Sequence, residues 1–239
     1  MDKTTRKEAI RLSDINFMPI FYALAVVIIT LIVIYLIKKR APKRTDLLLA
    51  GLCDSGKTLL YSLILNGNEV ETFTSLKENC GLLNLENSKT LRLVDLPGHE
   101  RLRLRLLDNY KNTTKAIIYV VDSSTVQKDI KDVADFLYTL LADKALSSTA
   151  VLILCNKQDE TMAKGVQAIE SLLEKEINLI RKTRTNQLQS VDNSSDTSVF
   201  LGRNDKDFDF TQISQKIRFA ESSAKNNKIE QLQNFISDL

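Results

Sequence analysis

Histidine, cysteine and tryptophan are scarce in this sequence. Among 239 residues there is one histidine, His99, no tryptophan, and three cysteines, Cys53, Cys80 and Cys155. The cysteines are widely spaced, without a CxxC pair or a histidine cluster, which excludes the usual sequence patterns of a zinc site. Scattered cysteines favour a reducing compartment over a disulfide-stabilised secreted fold.

The sequence also lacks a strong excess of charge of either sign. Lysine and arginine total 33 against 30 acidic residues, which gives a formal net charge of +3. A nucleic-acid-binding domain is usually far more basic, so we expect no direct contact with nucleic acid. Hydrophobic residues make up 44% of the chain, enough to bury a core, which excludes disorder throughout.

One long apolar stretch without charge lies near the start of the chain. Residues 17–37 contain no charged side chain, and a helix of this length measures about 31 Å, enough to span a bilayer core. The basic run KKRAPKR follows at 38–44 and favours a cytosolic C-terminal side. We therefore predict a short luminal N-terminus at 1–16, a transmembrane helix at 17–37, a basic linker at 38–45 and a cytosolic domain at 46–239.

A phosphate-binding loop is predicted at the end of the first strand of that domain. The stretch GLCDSGKT has the spacing GxxxxGK[ST], with an apolar strand before it and a helical segment after it. Glycines allow the tight turn, and amide groups at a helix N-terminus bind phosphate oxygens. Lysine adds a positive charge, and the threonine hydroxyl suits Mg²⁺. The residues expected to contribute are Gly51, Cys53, Asp54, Ser55, Gly56, Lys57, Thr58 and Leu59.

Three further motifs follow in a fixed order, each at the end of a predicted strand. DLPG at 95–98 matches DxxG, NKQD at 156–159 matches NKxD, and SAK lies at 223–225. A carboxylate such as Asp159 can accept hydrogen bonds from both N–H donors of guanine, whereas adenine offers no such pair. The motifs therefore favour guanine over adenine.

Together these motifs resemble the Ras superfamily of small GTPases, and GLCDSGKT is most similar to its Arf and Sar branch. With the apolar stretch, DLPGHE and NKQD included, the chain resembles the family of beta subunits of the signal recognition particle receptor of the endoplasmic reticulum. The resemblance implies GTP and Mg²⁺ as cofactors. It also implies a guanine-binding set made up of Asn156, Lys157, Asp159, Ser223, Ala224 and Lys225.

The resemblance further implies two switch segments. In the first, between the first helix and the next strand, Thr74 is our choice for the threonine that reaches Mg²⁺ and the γ-phosphate, with Thr72 and Ser75 as competitors that spacing cannot separate. The second begins at DLPG, where Gly98 would approach the γ-phosphate. The expected magnesium ligands are Thr58, Thr74 and, through water, Asp95.

The order of strand-like and helix-like segments predicts an α/β fold of the P-loop small GTPase type, with helices on both faces of a mostly parallel sheet. Strands are predicted near 47–50, 80–86, 89–94, 116–121, 150–155 and 217–221. A hairpin turn at Asn87-Ser88 would make one edge strand antiparallel. Helices are predicted at 57–65, 127–143, 162–183 and from about 228. The polar stretch 184–210 is interpreted as a surface loop in preference to a partner site.

His99 is the candidate catalytic residue. A neutral imidazole can orient an attacking water, and the stretch is similar to the Asp-x-Pro-Gly-His motif of translational GTPases, in which the histidine positions that water. The competing interpretation is that His99 caps the helix of the second switch and that GTP turns over very slowly. Both interpretations remain open.

The function that the resemblance implies is that of a GTP-binding membrane subunit. It would hold the alpha subunit of the signal recognition particle receptor at the endoplasmic reticulum, in a nucleotide-dependent way, for cotranslational targeting. Two alternatives are an Arf-like vesicle-trafficking GTPase and a GTP-loaded membrane scaffold without productive hydrolysis. A permanent span disfavours the Arf-like switch, because such proteins leave the membrane on hydrolysis.

Overall fold

The computed structural model of the protein describes residues 18–40, 44–67, 77–85, 89–190 and 200–239. The chain divides into two compact units, Met1–Lys43 and Arg44–Leu239. In the first unit, helix α1 spans Met18–Arg40. Across the described ranges, no helix combines the length and the apolar character needed to cross a membrane.

The second unit is an α/β structure built on one six-stranded sheet. Its strands are β1 Asp46–Ala50, β2 Asn79–Asn84, β3 Thr90–Asp95, β4 Thr114–Asp122, β5 Ala150–Asn156 and β6 Ile217–Glu221. Its helices are α2 Lys57–Asn66, α3 Glu100–Tyr110, α4 Val126–Ala142, α5 Val166–Ser190 and α6 Glu230–Ser237. The strand order is β2-β3-β1-β4-β5-β6, and only the β2–β3 pair is antiparallel. The predicted sheet, mostly parallel with one antiparallel edge strand, is confirmed.

The central strands are apolar on both faces because helices cover the sheet on both sides. Side chains alternate along β1, so Leu47 and Leu49 join one buried cluster while Leu48 and Ala50 join the other. The first cluster includes side chains of α2 and α6, and the second includes side chains of α3, α4 and α5. The second unit is therefore a three-layer domain with its own two-sided core.

The stretch 184–210 differs from the surface loop predicted from its polar composition. Helix α5 continues to Ser190, and Leu201, Phe208 and Phe210 are buried. Arg181 is buried too, and its guanidinium donates hydrogen bonds to the carbonyls of Leu201 at 3.0 Å and Lys206 at 2.8 Å. In the described parts of the stretch, 184–190 and 200–210, a continuation of α5 and a few buried apolar side chains therefore take the place of part of the predicted loop.

Candidate nucleotide-binding site

The predicted motifs lie at the carboxyl edge of the sheet. The chain leaves β1 toward the β3 side, whereas β4, β5 and β6 lie on the other side, so the strand order reverses between β1 and β4. Ligands of open α/β sheets bind at such a reversal, beyond the carboxyl ends of the strands. The phosphate loop follows β1 at this point.

Two glycines of the phosphate loop are required by its backbone and by close neighbours. Gly51 has φ 145°, and a Cβ there would lie 2.3 Å from the Val120 carbonyl oxygen. Gly56 has φ 91°, and a Cβ there would lie 2.4 Å from Nδ2 of Asn156. Both conformations lie in the region that glycine favours. The loop therefore turns tightly against β4 and β5 before α2 begins at Lys57.

The Lys57 side chain folds back across this loop. It is buried, and its Nζ donates hydrogen bonds to the Leu52 carbonyl and, at 3.4 Å, to Oγ of Ser55. Burial lowers the pKa of Lys57, while Asp95, Cys53 and Asp54 act in the opposite direction. The ammonium group is thus held at the loop in surroundings that favour an added anion.

Asp95 and Thr58 form the second polar centre of the site. Thr58 Oγ1 donates to Asp95 Oδ2 at 2.8 Å, and Asn79 Nδ2 donates to the same oxygen at 3.1 Å. Burial raises the pKa of Asp95, although these two hydrogen bonds and Lys57 oppose the rise. The other oxygen, Oδ1, is buried and has no hydrogen-bond partner among the described residues. A hydroxyl beside a carboxylate with one free oxygen fits a hydrated Mg²⁺ ion.

Gly98 lies directly against the phosphate loop. A Cβ at this position would be 2.3 Å from the amide nitrogen of Cys53 and 2.5 Å from the carbonyl carbon of Leu52. Both are backbone atoms, so neither could move aside cheaply. The DxxG segment therefore touches the phosphate loop at the one residue type that permits the approach.

His99 caps α3 in this structure. Its backbone is extended, and its Nδ1 accepts a hydrogen bond from the amide of Arg101 at 3.3 Å. His99 also lines a cavity of about 350 Å³ together with Cys53, Ser55 and Arg103. The imidazole thus performs the capping role of the competing interpretation while lying at a cavity shared with the phosphate loop.

Asn156 joins the two halves of the site. Its Nδ2 donates to the Ser55 carbonyl at 2.9 Å, and its Oδ1 accepts from Ser222 Oγ and from the Ala224 amide, both at 3.1 Å. Donor and acceptor of one planar amide therefore connect the phosphate loop to the SAK loop. Because Asn156 is buried, these bonds are shielded from competing water.

The other residues of the NKQD and SAK motifs are close to each other. Asp159 Oδ1 accepts a hydrogen bond from Ser223 Oγ at 2.6 Å. Lys157 has φ 64°, and its Nζ lies 2.7 Å from Asp122 Oδ2. Lys225 is exposed. The two loops thus form one wall beyond the ends of β5 and β6.

The structure brings together most, but not all, of the predicted set. Cys53 and Asp54 are exposed on the phosphate loop, and Leu59 packs against the core beneath it. Thr74 and its competitors Thr72 and Ser75 lie outside the described residues, as does the Asn87-Ser88 turn.

Sequence reasoning missed several residues of the site. Asn79 binds Asp95, Asp122 pairs with Lys157, and Gln158 Nε2 donates to Ser123 Oγ at 2.9 Å. Hydrogen bonds from Lys157 and Ser124 lower the pKa of Asp122, outweighing the larger single effect of burial, which raises it. The one available signal for Asp122 was its place at the end of the apolar strand β4.

Comparison with known proteins places this arrangement in a family. The model of the family "Signal recognition particle receptor beta subunit" matches residues 42–217. "Signal recognition particle receptor subunit beta" of Homo sapiens is 41% identical over 228 residues, which cover 94% of this chain and 84% of that protein. A solved chain of "The Structure of the Mammalian SRP Receptor" is 40% identical, with a TM-score of 0.73, and the match covers 81% of this chain and 98% of that one.

A more distant solved structure shares the fold. "Signal recognition particle receptor SRb-GDP-Mg from Chaetomium thermophilum" matches with a TM-score of 0.63 at 23% identity and covers 83% of this chain and 99% of that one. The family model covers most of the second unit, and the human relative covers nearly the whole chain. The chain therefore belongs to the family of signal recognition particle receptor beta subunits.

Proposed function

We propose that this protein is the GTP-binding, membrane-anchored subunit that holds the alpha subunit of the signal recognition particle receptor at the endoplasmic reticulum. The observation that carries the proposal is the position of Asn156, which fixes the phosphate loop against the SAK loop. A nucleotide with phosphates on one loop and a guanine base on the other would lie along this connection. The family assignment supports this function over an Arf-like trafficking role.

The described residues suit guanine nucleotide in distinct ways. Lys57 and the amides from Asp54 to Thr58 would hold the phosphates, and Asp159 would accept the two N–H donors of guanine. Asp159 already accepts from Ser223 through Oδ1, and a carboxylate has acceptor capacity for further donors. The Chaetomium thermophilum relative, described as SRb-GDP-Mg, supports the same ligand class.

Magnesium fits the Thr58–Asp95 pair. The metal, when bound, would neutralise phosphate charge. Thr58 Oγ1 would bind it directly and Asp95 Oδ1 through water, since Oδ1 is the oxygen without a partner among the described residues. Thr74 remains our proposal for the second hydroxyl ligand.

Membrane anchoring by residues 17–37 is part of the proposal. The support comes from the uncharged sequence and from the many exposed large hydrophobic side chains of α1, such as Phe21, Leu24 and Ile29. A bilayer is the environment in which such side chains are at low free energy. The basic run after the stretch supports a cytosolic position for the second unit.

We also propose that hydrolysis is slow until His99 changes its contacts. While Nδ1 accepts from the Arg101 amide, the imidazole is committed to α3, and only Nε2 remains to meet a water. A partner that moves α3 would release the ring. This supports a GTP-loaded state with slow turnover as the resting condition.

The nucleotide test uses residues 44–239, which contain the whole sheet and both faces of the core. We expect the purified unit to bind GTP and GDP with Mg²⁺ far more tightly than ATP, measured by calorimetry. Thr58→Asn should abolish alpha-subunit binding at saturating GTP, whereas Thr183→Asn, on the exposed face of α5, should not. Equal affinity for ATP and GTP would disprove the proposal.

The hydrolysis test separates capping from catalysis. His99→Asn keeps a good N-cap and His99→Gln keeps an amide of longer reach, whereas His99→Ala keeps neither. If His99 orients water, the alanine variant should lose about 100-fold in single-turnover rate with nucleotide affinity retained, and glutamine should restore part of it. Unchanged rates in all three variants would leave His99 as a helix cap alone.

A further inference from the structure

The amino edge of the sheet, opposite to the nucleotide-binding edge, carries a set of cations that the proposed function does not use. Strands β1, β3, β4, β5 and β6 all begin here because they are parallel. Five basic residues at or next to these strand starts, together with Lys144 in the turn before β5, form what we call the amino-edge cluster. Its members are Arg44, Lys89, Lys115, Lys144, Lys216 and Arg218.

Hydrogen bonds to neighbouring segments hold several of these cations at this edge of the sheet. Arg44, two residues before β1, donates hydrogen bonds to Ser148 Oγ at 2.8 Å and to the Ala145 carbonyl at 3.1 Å. Lys115 and Lys89 both donate to the Leu239 backbone oxygen, at 2.6 and 3.5 Å. The cluster therefore extends from the loop before β5 across to the starts of β3 and β4.

Three carboxylates at this edge pair with cations that are not members of the cluster. Asp46 is buried and paired with Arg92, and Asp108 and Asp143 both lie close to Lys111. Asp238 pairs with Arg218 at 2.7 Å, with both side chains exposed. Among the described residues, the other members of the cluster form no ion pair with a carboxylate side chain. Positive charge is thus in excess at this edge.

A cavity of about 460 Å³ opens within the cluster. It is lined by Lys115, Lys216, Arg218 and the hydroxyl-bearing Ser148 and Ser214, with Asp238 as its one carboxylate side chain. Burial lowers the pKa of Lys115, and the nearby Lys89 lowers it further. An anion placed in this cavity would relieve both effects and would meet lysine, arginine and hydroxyl donors, the groups that bind phosphate oxygens.

We propose that the amino-edge cluster binds the headgroups of anionic phospholipids in the membrane that holds the chain. This inference rests on the proposed anchor, because residue 44 follows residue 37 by seven positions and so lies within about 25 Å of it along the chain. The sequence between the two is itself basic, with the run KKRAPKR at 38–44. The nucleotide site, at the opposite edge, then faces away from the lipid surface and toward the cytosol.

The experiment measures binding of residues 44–239 to vesicles, without the anchor. We expect cosedimentation with phosphatidylcholine vesicles that contain 30% phosphatidylserine, and none with phosphatidylcholine alone. Each basic residue near an anionic surface contributes about fivefold, so the triple variant Lys89→Glu, Lys144→Glu, Lys216→Glu should bind at least on the order of 100-fold more weakly. These three lysines are exposed, and GTP binding by the variant shows that it is folded.

A charge-matched control variant carries Lys128→Glu, Lys131→Glu and Lys175→Glu, which are exposed on α4 and α5. This control should keep most of the vesicle affinity because its changes lie outside the cluster. Equal loss in both variants, binding to neutral vesicles, or tighter binding to an RNA oligonucleotide than to the anionic vesicles would each overturn the proposal. The anchor is tested separately by alkaline extraction of the full chain from membranes, so failure of one proposal is distinguishable from failure of the other.

Discussion

The two edges of the sheet differ in how they hold charge. At the carboxyl edge two charged groups of the predicted site are buried: Lys57 and Asp95 are almost fully covered, and Gly56 and Lys157 nearby have positive φ. At the amino edge Lys89, Lys144 and Lys216 are exposed. Burial near special backbone is costly and typical of ligand sites, whereas exposed charge acts over a surface. This contrast agrees with the two proposals, specific nucleotide binding at one edge and attraction to an anionic surface at the other.

Among the variants considered, Asn156→Ala should have the largest effect on the carboxyl edge. The change removes hydrogen bonds to Ser55, Ser222 and Ala224 at once, so we expect GTP affinity to fall on the order of 100-fold and the free energy of unfolding to fall by about 2–4 kcal/mol. Calorimetry and urea denaturation measure the two effects. Asn226→Ala, at an exposed position of the SAK loop, should change neither; an equal effect would locate the cause outside the Asn156 bonds.

At the amino edge, Asp46→Ala should lower the free energy of unfolding without lowering GTP affinity. Asp46 is fully buried and accepts hydrogen bonds from Arg92 and Thr113, so its loss removes the buried acceptor that both donors share. We expect a fall of about 2–3 kcal/mol in the free energy of unfolding, with GTP affinity of the folded fraction unchanged. The exposed pair offers the control: Asp238→Ala should cost less than about 1 kcal/mol. A marked loss of GTP affinity in Asp46→Ala would show that the two edges are not independent.

Asp95→Asn should raise the stability of the nucleotide-free protein and weaken its Mg²⁺-dependent GTP binding. We expect the change in stability to be smaller than in the two variants above. Burial raises the pKa of Asp95, so the cost of ionising the folded state develops as pH rises above the unfolded pKa and is complete once pH exceeds the raised folded-state pKa. An asparagine can still accept from Thr58 and Asn79 through its oxygen. The nucleotide-free variant should therefore have a higher Tm than the wild type at pH 7, while Mg²⁺ should no longer enhance its GTP affinity.

The control for that prediction is Asp108→Asn, since Asp108 is exposed and pairs only with Lys111 among the described residues. It should leave both the Tm at pH 7 and the magnesium effect close to wild type. A lower Tm in Asp95→Asn would mean that the carboxylate stabilises the nucleotide-free fold, contrary to the burial argument.

Motif spacing located the glycines of the carboxyl edge because close backbone approaches restrict the residue type at those positions. Gly51, Gly56 and Gly98 could be named from sequence since each position excludes a Cβ. The partners of Arg181 could not, because they are mainly backbone carbonyls, which every residue offers equally. The cap formed by His99 was one of two open interpretations, and choosing between them needs the direction of the ring, which spacing does not encode.

The backbone amide of Ala224 is linked to the phosphate loop through the Asn156 side chain. Its N–H bonds to Asn156 Oδ1, and the other end of the same side chain holds the Ser55 carbonyl. Hydrogen–deuterium exchange at Ala224 should therefore slow when a phosphate group orders the loop, even if that group never approaches residue 224. The exchange rate of this one backbone amide would then report whether the phosphate loop is occupied.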